Sequence, residues 1–278
     1  MSTNILRQLF VVFFAIGQFV TTILLSETFN SVTTDGLNNN PIYFLPAGYT
    51  FAIWGVIQLL SATYATYQLR PDQADRTLHQ NIGWWVMLNT ICFSVWTYFA
   101  VQQGMPGTQD FQPLWILATL PIILVMLVSN VIAFLNIRQL ADTLTMLDKW
   151  LTIVPVAVYF GWITVATVAN TTAYLYAAGW TGAQFGVPIT VALLIIAFLI
   201  AGAMTLMWNV SHGVVAYAAV FIWAAIGIAA NNINQSQTVT LTALIVAGAM
   251  LLLLITHVNQ DKFPIFFSEN SSQVTTAS

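Results

Sequence analysis

The chain alternates between long apolar stretches and short polar connections. Eight apolar runs of about 20 residues can be traced, at roughly 6–25, 48–68, 82–102, 113–136, 149–176, 186–208, 212–230 and 237–258. Such a run is long enough for an α-helix to cross the hydrocarbon core of a bilayer. The pattern predicts an all-α integral membrane protein with about eight transmembrane helices. No small-residue cleavage pattern follows the first run, so we expect it to be a retained helix rather than a signal peptide.

Composition favours the same class of protein. Hydrophobic residues make up 58% of the chain and charged residues 5%, with a mean hydropathy of +0.80. A soluble domain carries about 25% charged residues. The scattered Lys and Arg residues form no basic patch, so nucleic acid is not an expected partner. Cys92 is the single cysteine of the sequence, which excludes an internal disulfide.

The basic residues indicate an orientation. With eight spans, all of them fall on one side: Arg7, Arg70, Arg76, Arg138, Lys149 and Lys262. The loops on the other side hold Glu27, Asp35 and Asp110 but no Lys or Arg. Because basic residues concentrate in cytoplasmic loops, we expect both termini to be cytoplasmic, in a plasma or inner membrane.

The interior of the predicted spans is uncharged, and this counts against several classes of membrane protein. Ion pumps, voltage sensors and retinal proteins keep a charged group within the membrane, whereas these spans offer amides, hydroxyls and tryptophans. A neutral or aromatic ligand fits such spans better than an ion. The three histidines, His79, His212 and His257, are expected to be interfacial and solvated, and Asp142 and Asp148 to be loop charges. No catalytic group or metal site is predicted.

The second helix has two distinct faces. Gly48, Ala52 and Gly55 recur at intervals of four and three residues, which predicts a smooth ridge against which a neighbouring helix packs closely. Trp54 lies about 160° away from that ridge. Alone, this pattern also suits a helix whose Trp54 simply faces lipid or the core.

A polar and aromatic stripe runs along the fifth helix. Its members are Pro155, Tyr159, Trp162, Ala166 and Asn170, which share an arc of about 80°. An unpaired amide in hydrocarbon costs several kcal/mol, so this stripe must face protein or a cavity.

The third helix repeats the arrangement with Trp85, Asn89, Cys92 and Trp96. Either asparagine alone could simply join two helices through a hydrogen bond worth about 1 kcal/mol. Three tryptophan stripes together favour a shared aromatic cavity for a flat, mostly apolar ligand.

These residues resemble motifs of the TspO/translocator-protein family, the tryptophan-rich sensory proteins. The shared features are a Pro eight residues before the second-helix Trp, a Leu-Asn pair on the third helix, and Tyr-x-x-Trp with a later Asn on the fifth: Pro46, Trp54, Leu88, Asn89, Tyr159, Trp162 and Asn170. The resemblance implies a five-helix bundle over residues 1–176. It leaves three additional transmembrane helices at 177–260 and a polar cytoplasmic tail at 261–278.

The resemblance implies a membrane ligand-binding or sensory protein. Its ligand would be a hydrophobic small molecule such as a tetrapyrrole, haem or protoporphyrin, and porphyrin binding would involve Trp54, Asn89, Tyr159, Trp162 and Asn170. The loop from Ser26 to Ala47 would cover the pocket. An enzymatic role and a homodimer in the lipid bilayer stay open. Two other functions also stay open, namely a transporter or channel for a small neutral solute and a structural subunit of a membrane complex.

Overall fold

A computed structural model describes residues 2–30, 42–104, 109 and 111–258. All regular elements in this part of the chain are helical, which confirms the predicted all-α class. The long helices are α1 (Thr3–Leu24), α3 (Ile53–Gln68), α4 (Thr77–Gln102), α5 (Leu114–Gln139), α7 (Val154–Ala177), α8 (Gly182–Met207), α9 (Ser211–Asn232) and α10 (Gln237–Val258). Two short helices, α2 (Ser26–Asn30) and α6 (Met146–Asp148), lie between them. The predicted tail at 261–278 lies outside the described residues.

Membrane-spanning length is reached by seven helices in the described ranges. The exception among the expected spans is α3, which has 16 residues and continues a five-residue 3-10 helix, Gly48–Ala52. The expected second span is therefore present as two joined pieces. The protein is a multi-pass membrane protein.

The predicted packing ridge on the second helix does not form between helices of this chain. Ala52 and Gly55 are exposed on the outside of the bundle, and no heavy atom lies within 4 Å of a Cβ placed on Gly55. Gly48 is buried, but it belongs to the 3-10 helix. A 3-10 helix has about 3.0 residues per turn, so the spacing that aligns these three residues on an α-helix no longer aligns them here. Within this chain Trp54 turns inward, so the opposite face with Ala52 and Gly55 turns outward, and close packing on that face stays a prediction.

Helix α7 is the central helix of the bundle. It packs against α3, α5, α8 and α9. In the most apolar stretch of Met146–Ala177, 78% of the residues are buried. Close packing with α9 occurs at Gly161, where an added Cβ would lie 3.0 Å from the Tyr217 carbonyl oxygen. Before α7, residues Lys149–Ile153 form a π-helical turn. Pro155 lacks the N–H that a regular turn would need there, which accounts for the wider turn.

One end of the bundle, here called the basic end, holds Arg7, Arg70, Arg76, Arg138 and Lys149. Hydrogen bonds link the chain segments that carry these residues. Arg7 donates to the Ala74 carbonyl oxygen at 2.8 Å, and the Arg138 carbonyl oxygen accepts from Asn209 in the α8–α9 turn at 3.0 Å. The side of the membrane that the basic end faces stays a prediction.

Two residues at the basic end differ from expectation. Asp148 is fully buried rather than a loop charge, and its Oδ2 accepts from Arg76 Nη2 at 2.8 Å while Oδ1 accepts from the Tyr67 hydroxyl at 2.9 Å. The hydrogen bond to Asp148 raises the pKa of Arg76. His79 is also fully buried, not solvated, and its Nε2 lies 3.1 Å from Gln73 Oε1. Tertiary contacts between α3, α4 and α6 bury both groups.

Candidate functional site

A cavity of about 70 Å³ lies at the end of the bundle opposite the basic end. Helices α3, α4, α5 and α7 supply its walls, and Leu45, Pro46, Phe51 and Phe111 close it. Of the five predicted ligand contacts, Trp54, Trp162 and Asn170 line this cavity. The small residues of α7 that follow Trp162, including Ala166 and Ala169, leave the space that the cavity occupies.

Trp54 is the meeting point of the three aromatic stripes. Its ring centroid lies 5.7 Å from that of Trp96 on α4 and 5.9 Å from that of Trp162 on α7. The Trp54 and Trp162 rings are nearly perpendicular, at 84°, an edge-to-face arrangement that aromatic pairs prefer. Phe51 packs edge-on against Trp162 at 5.8 Å. The stripes of the second, third and fifth predicted helices therefore face one another.

The cavity wall contains both paired and unpaired hydrogen-bond donors. Trp96 Nε1 donates to Asn170 Oδ1 at 3.3 Å, and Asn170 Nδ2 donates to the Ala166 carbonyl oxygen at 3.0 Å. In contrast, the indole N–H groups of Trp54 and Trp162 are buried and have no acceptor within the described ranges. The two side chains are only 3% and 2% exposed. Buried donors are rarely left unpaired, so these two call for an explanation.

The other two predicted contacts, Asn89 and Tyr159, lie in a separate layer nearer the basic end. The Tyr159 hydroxyl donates to the Asn89 carbonyl oxygen at 3.1 Å, and Asn130 Nδ2 donates to Asn89 Oδ1 at 2.9 Å. Both residues border a much smaller cavity of about 10 Å³, beside Ser61 and Tyr64. Asn89 thus joins α4 to α5 and α7, and its role as a ligand contact stays a prediction.

Sequence reasoning left three aromatic cavity residues out of the predicted site. Trp96 was on a recognised stripe, and its position one helical turn beyond Cys92 was the available signal. Phe51 and Phe111 lie outside the long α-helices, where helical periodicity gives no information. Their contribution depends on how the connecting segments fold back over the helix ends.

The cavity is covered by a segment, Ile42–Ala52, that is held by α9. The Ala47 N–H donates to the Gly227 carbonyl oxygen at 2.9 Å. Gly227 permits this approach because a Cβ at that position would clash with Thr50 Oγ1 and would lie 3.0 Å from Pro46 Cβ. We call Ile42–Ala52 the covering segment. Part of the loop expected to act as a lid, residues 31–41, lies outside the described residues.

Two side chains of α9 add to this attachment. Trp223 Nε1 donates to the Thr50 carbonyl oxygen at 3.0 Å. Asn232 Nδ2 donates to the Tyr43 carbonyl oxygen at 2.7 Å. Helix α9 therefore holds the covering segment at three points along about 14 Å of its length, taking 1.5 Å per residue from Trp223 to Asn232.

The described cavity residues do not form a haem-iron site. An axial ligand would be His, Cys, Met or Tyr, and the side chains that line the cavity in this part of the chain include none of these. His79 lies at the basic end, beyond the Asn89 layer. Among the described residues, no group of His, Cys, Asp and Glu is arranged to hold a metal ion.

The family comparison covers nearly the whole transmembrane region. The family profile described as TSPO-like protein matches residues 7–256, from α1 to α10. The match is longer than the resemblance at 1–176 and includes the three helices expected to be additional. No curated protein and no solved structure matches the chain. Since the family match includes every span, and three residues of the family's aromatic motifs meet at one cavity, the chain belongs to the TSPO-like protein family.

Proposed function

We propose that this membrane protein binds a flat, mainly apolar small molecule in the aromatic cavity, as a ligand-binding or sensory protein. The observation that carries the proposal is the pair of unpaired indole N–H groups on Trp54 and Trp162. A buried donor without a partner costs about 1–3 kcal/mol, and a ligand that supplies an acceptor recovers that cost. The indole rings of the same residues offer faces on which a planar ligand packs.

The wall chemistry limits the class of ligand. Two donors favour a ligand with carbonyl or ring-nitrogen acceptors. No charged side chain of the described residues lines the cavity, so a carboxylate placed beside them would be buried without a counter-charge. The ligand portion inside the cavity is therefore neutral, and any acidic group must stay outside.

A tetrapyrrole, which the resemblance implies, does not fit the closed cavity. The volume of about 70 Å³ is well below the 300–1,000 Å³ typical of pockets for drug-sized ligands. Haem ligation also lacks an axial residue among the described residues of the wall. Tetrapyrrole binding would require the covering segment to move away from Trp54 and Trp162, and the propionates would have to remain outside.

The layer beneath the cavity favours binding over conduction of a solute. Asn130 and Tyr159 each donate a hydrogen bond to Asn89, and these bonds join three helices between the cavity and the basic end. A channel would need the hydrogen bonds of this layer to break each time a solute molecule passes. That requirement counts against the transporter interpretation.

The proposal is tested by titrating the purified protein with coumarin, a small planar probe with a carbonyl acceptor, by calorimetry. Trp54→Phe and Trp162→Phe keep an aromatic ring but remove the N–H, and Trp150→Phe outside the cavity is the control. Loss of one net hydrogen bond of about 0.5–1.5 kcal/mol predicts a Kd about 2- to 12-fold higher in each cavity variant. The control variant should match the unmodified protein.

A parallel titration with protoporphyrin IX follows tryptophan fluorescence. We expect slower association than with coumarin, because the larger ligand requires a larger movement of the covering segment. Folded protein that binds neither probe saturably would overturn the proposal. Equal affinities in all three tryptophan variants would show that the indole donors do not contact the ligand.

A further inference from the structure

A second apolar site lies on the outside of the bundle, separate from the aromatic cavity. It is a groove of about 390 Å³ between α3, the first turns of α7, and α9. We call it the α7–α9 groove. Its walls are almost entirely Val, Ile and Ala side chains, with Trp150 at one end and Trp223 at the other. An open apolar groove on the flank of a membrane protein faces lipid.

The groove has the length of one membrane leaflet. Along α9 it extends from Ser211 to Trp223, about 18 Å at 1.5 Å per residue. The hydrocarbon core of a bilayer is about 30 Å thick, so one leaflet contributes about 15 Å. The groove begins at the basic end, where α9 starts, and ends near the middle of the spans. A lipid chain entering from that surface would fill it without crossing into the other leaflet.

The end of the groove at the membrane surface is polar and basic. Ser211 Oγ lies 3.3 Å from His212 Nδ1, and the His212 ring packs edge-on against Trp150 with centroids 4.8 Å apart. Lys149 is close enough to His212 to interact electrostatically. Of the two ion pairs found among the described residues, neither includes Lys149, because the adjacent Asp148 is paired with Arg76.

These features distinguish one type of lipid from others. A sterol would use the apolar walls but would leave the Lys149 charge without a counterpart. A phospholipid phosphate provides that charge and accepts hydrogen bonds from Ser211 and His212. Basic pockets between transmembrane helices are a known way of binding anionic headgroups. Charge complementarity therefore favours an anionic phospholipid.

We propose that the α7–α9 groove binds one anionic phospholipid, with an acyl chain between α3, α7 and α9 and its phosphate at Lys149, Ser211 and His212. This site is independent of the ligand proposed for the aromatic cavity. Because α9 also holds the covering segment, the lipid and the cavity cover share one helix.

The test is native mass spectrometry of the intact protein released from detergent with phosphatidylglycerol or phosphatidylcholine of identical chains. We expect one retained phosphatidylglycerol and about fivefold weaker retention of phosphatidylcholine, the factor for one basic residue at an anionic surface. Lys149→Gln should remove the preference while leaving weak retention of both lipids.

A groove-filling variant tests the chain-binding part. Ala219 lies in the groove and is exposed, so Ala219→Phe should fill the space and abolish retention of both lipids. Ala203→Phe places the same side chain at an exposed position on α8 that does not line the groove, and it should retain lipid normally.

Three results would overturn the proposal. They are equal retention of both lipids by the unmodified protein, an unchanged preference in Lys149→Gln, and normal retention in Ala219→Phe. If Ala219→Phe fails to fold, the Lys149→Gln comparison still decides, because it changes only a charge at the membrane surface.

Discussion

Gly227→Ala is the sharpest test of how α9 holds the cavity cover. The added Cβ would clash with Thr50 Oγ1 and would lie 2.8 Å from Thr50 Cγ2, far inside van der Waals contact. Thr50 is fully buried and short, so its side chain cannot swing away. Pro46 Cβ, at 3.0 Å, closes the remaining space. The covering segment must therefore move outward from α9.

The magnitude follows from the overpacking of this contact, which costs about 1–3 kcal/mol. The helix propensity gained by replacing Gly with Ala does not enter, because α9 is helical whether the cover is open or closed. The net effect is about 2 kcal/mol against the closed cover, which raises the population of the open cover about 30-fold.

Stopped-flow tryptophan quenching by protoporphyrin IX measures this effect. If the ligand enters only when the cover is open, its association rate should rise by up to about 30-fold in Gly227→Ala. Gly248→Ala is the matched control, since no heavy atom lies within 4 Å of its added Cβ. Thr50→Ala in the Gly227→Ala background removes the two shortest contacts and should restore a slow rate.

The interpretation is refuted if Gly227→Ala and Gly248→Ala associate at the same rate while both remain folded. It is also refuted if Thr50→Ala fails to reverse the change. Either result would mean that the contact between α9 and the covering segment does not control access to the cavity.

Two further substitutions test contacts inside the bundle. Asp148→Asn should lower the free energy of unfolding by about 2 kcal/mol, because it weakens charge-assisted hydrogen bonds with Arg76, whereas Asp72→Asn at an exposed pair should leave thermal unfolding unchanged. Asn170→Leu should lower the unfolding free energy by about 1–3 kcal/mol, since it leaves Trp96 Nε1 without its acceptor; an unchanged melting temperature would count against that hydrogen bond.

The aromatic cavity was the part of the site most accessible from sequence. Trp54, Trp96 and Trp162 lie on helices, where the side-chain direction follows from a local period of 3.6 residues. A polar stripe in a membrane span has to face protein or a cavity, so its inward direction was also predictable. Their convergence on one cavity follows from these two constraints.

Depth along the membrane was harder to predict. Asn89 and Trp96 share a helix face, yet they lie in different layers, and only Trp96 lines the large cavity. Helical periodicity gives the angle around the axis but not which neighbouring residue stands at the same height. The small residues Ala166 and Ala169 leave room for the cavity. Their role could not be predicted without knowing that α3 and α4 lie beside them.

Burial of charge was mispredicted for a related reason. Asp148 follows a polar connection in the sequence, which predicts a solvated side chain. It is instead paired with Arg76, which is 72 residues away and therefore not visible in the local pattern. The attachment of the covering segment to α9 depends on a contact of even longer range. No local pattern in the sequence marks Gly227 as the point of that contact.

The attachment of the cover to α9 also sets an order of events during synthesis. Tyr43 and its anchor Asn232 are separated by 189 residues. At about 5–20 residues per second, the ribosome needs about 10–40 s to make the chain between them. Helices α3, α4 and α7 are complete before α9 exists, so the cavity walls precede the cover. During that interval the newborn protein presents an unsealed aromatic chamber to the membrane, and this chamber closes only once α9 has been made.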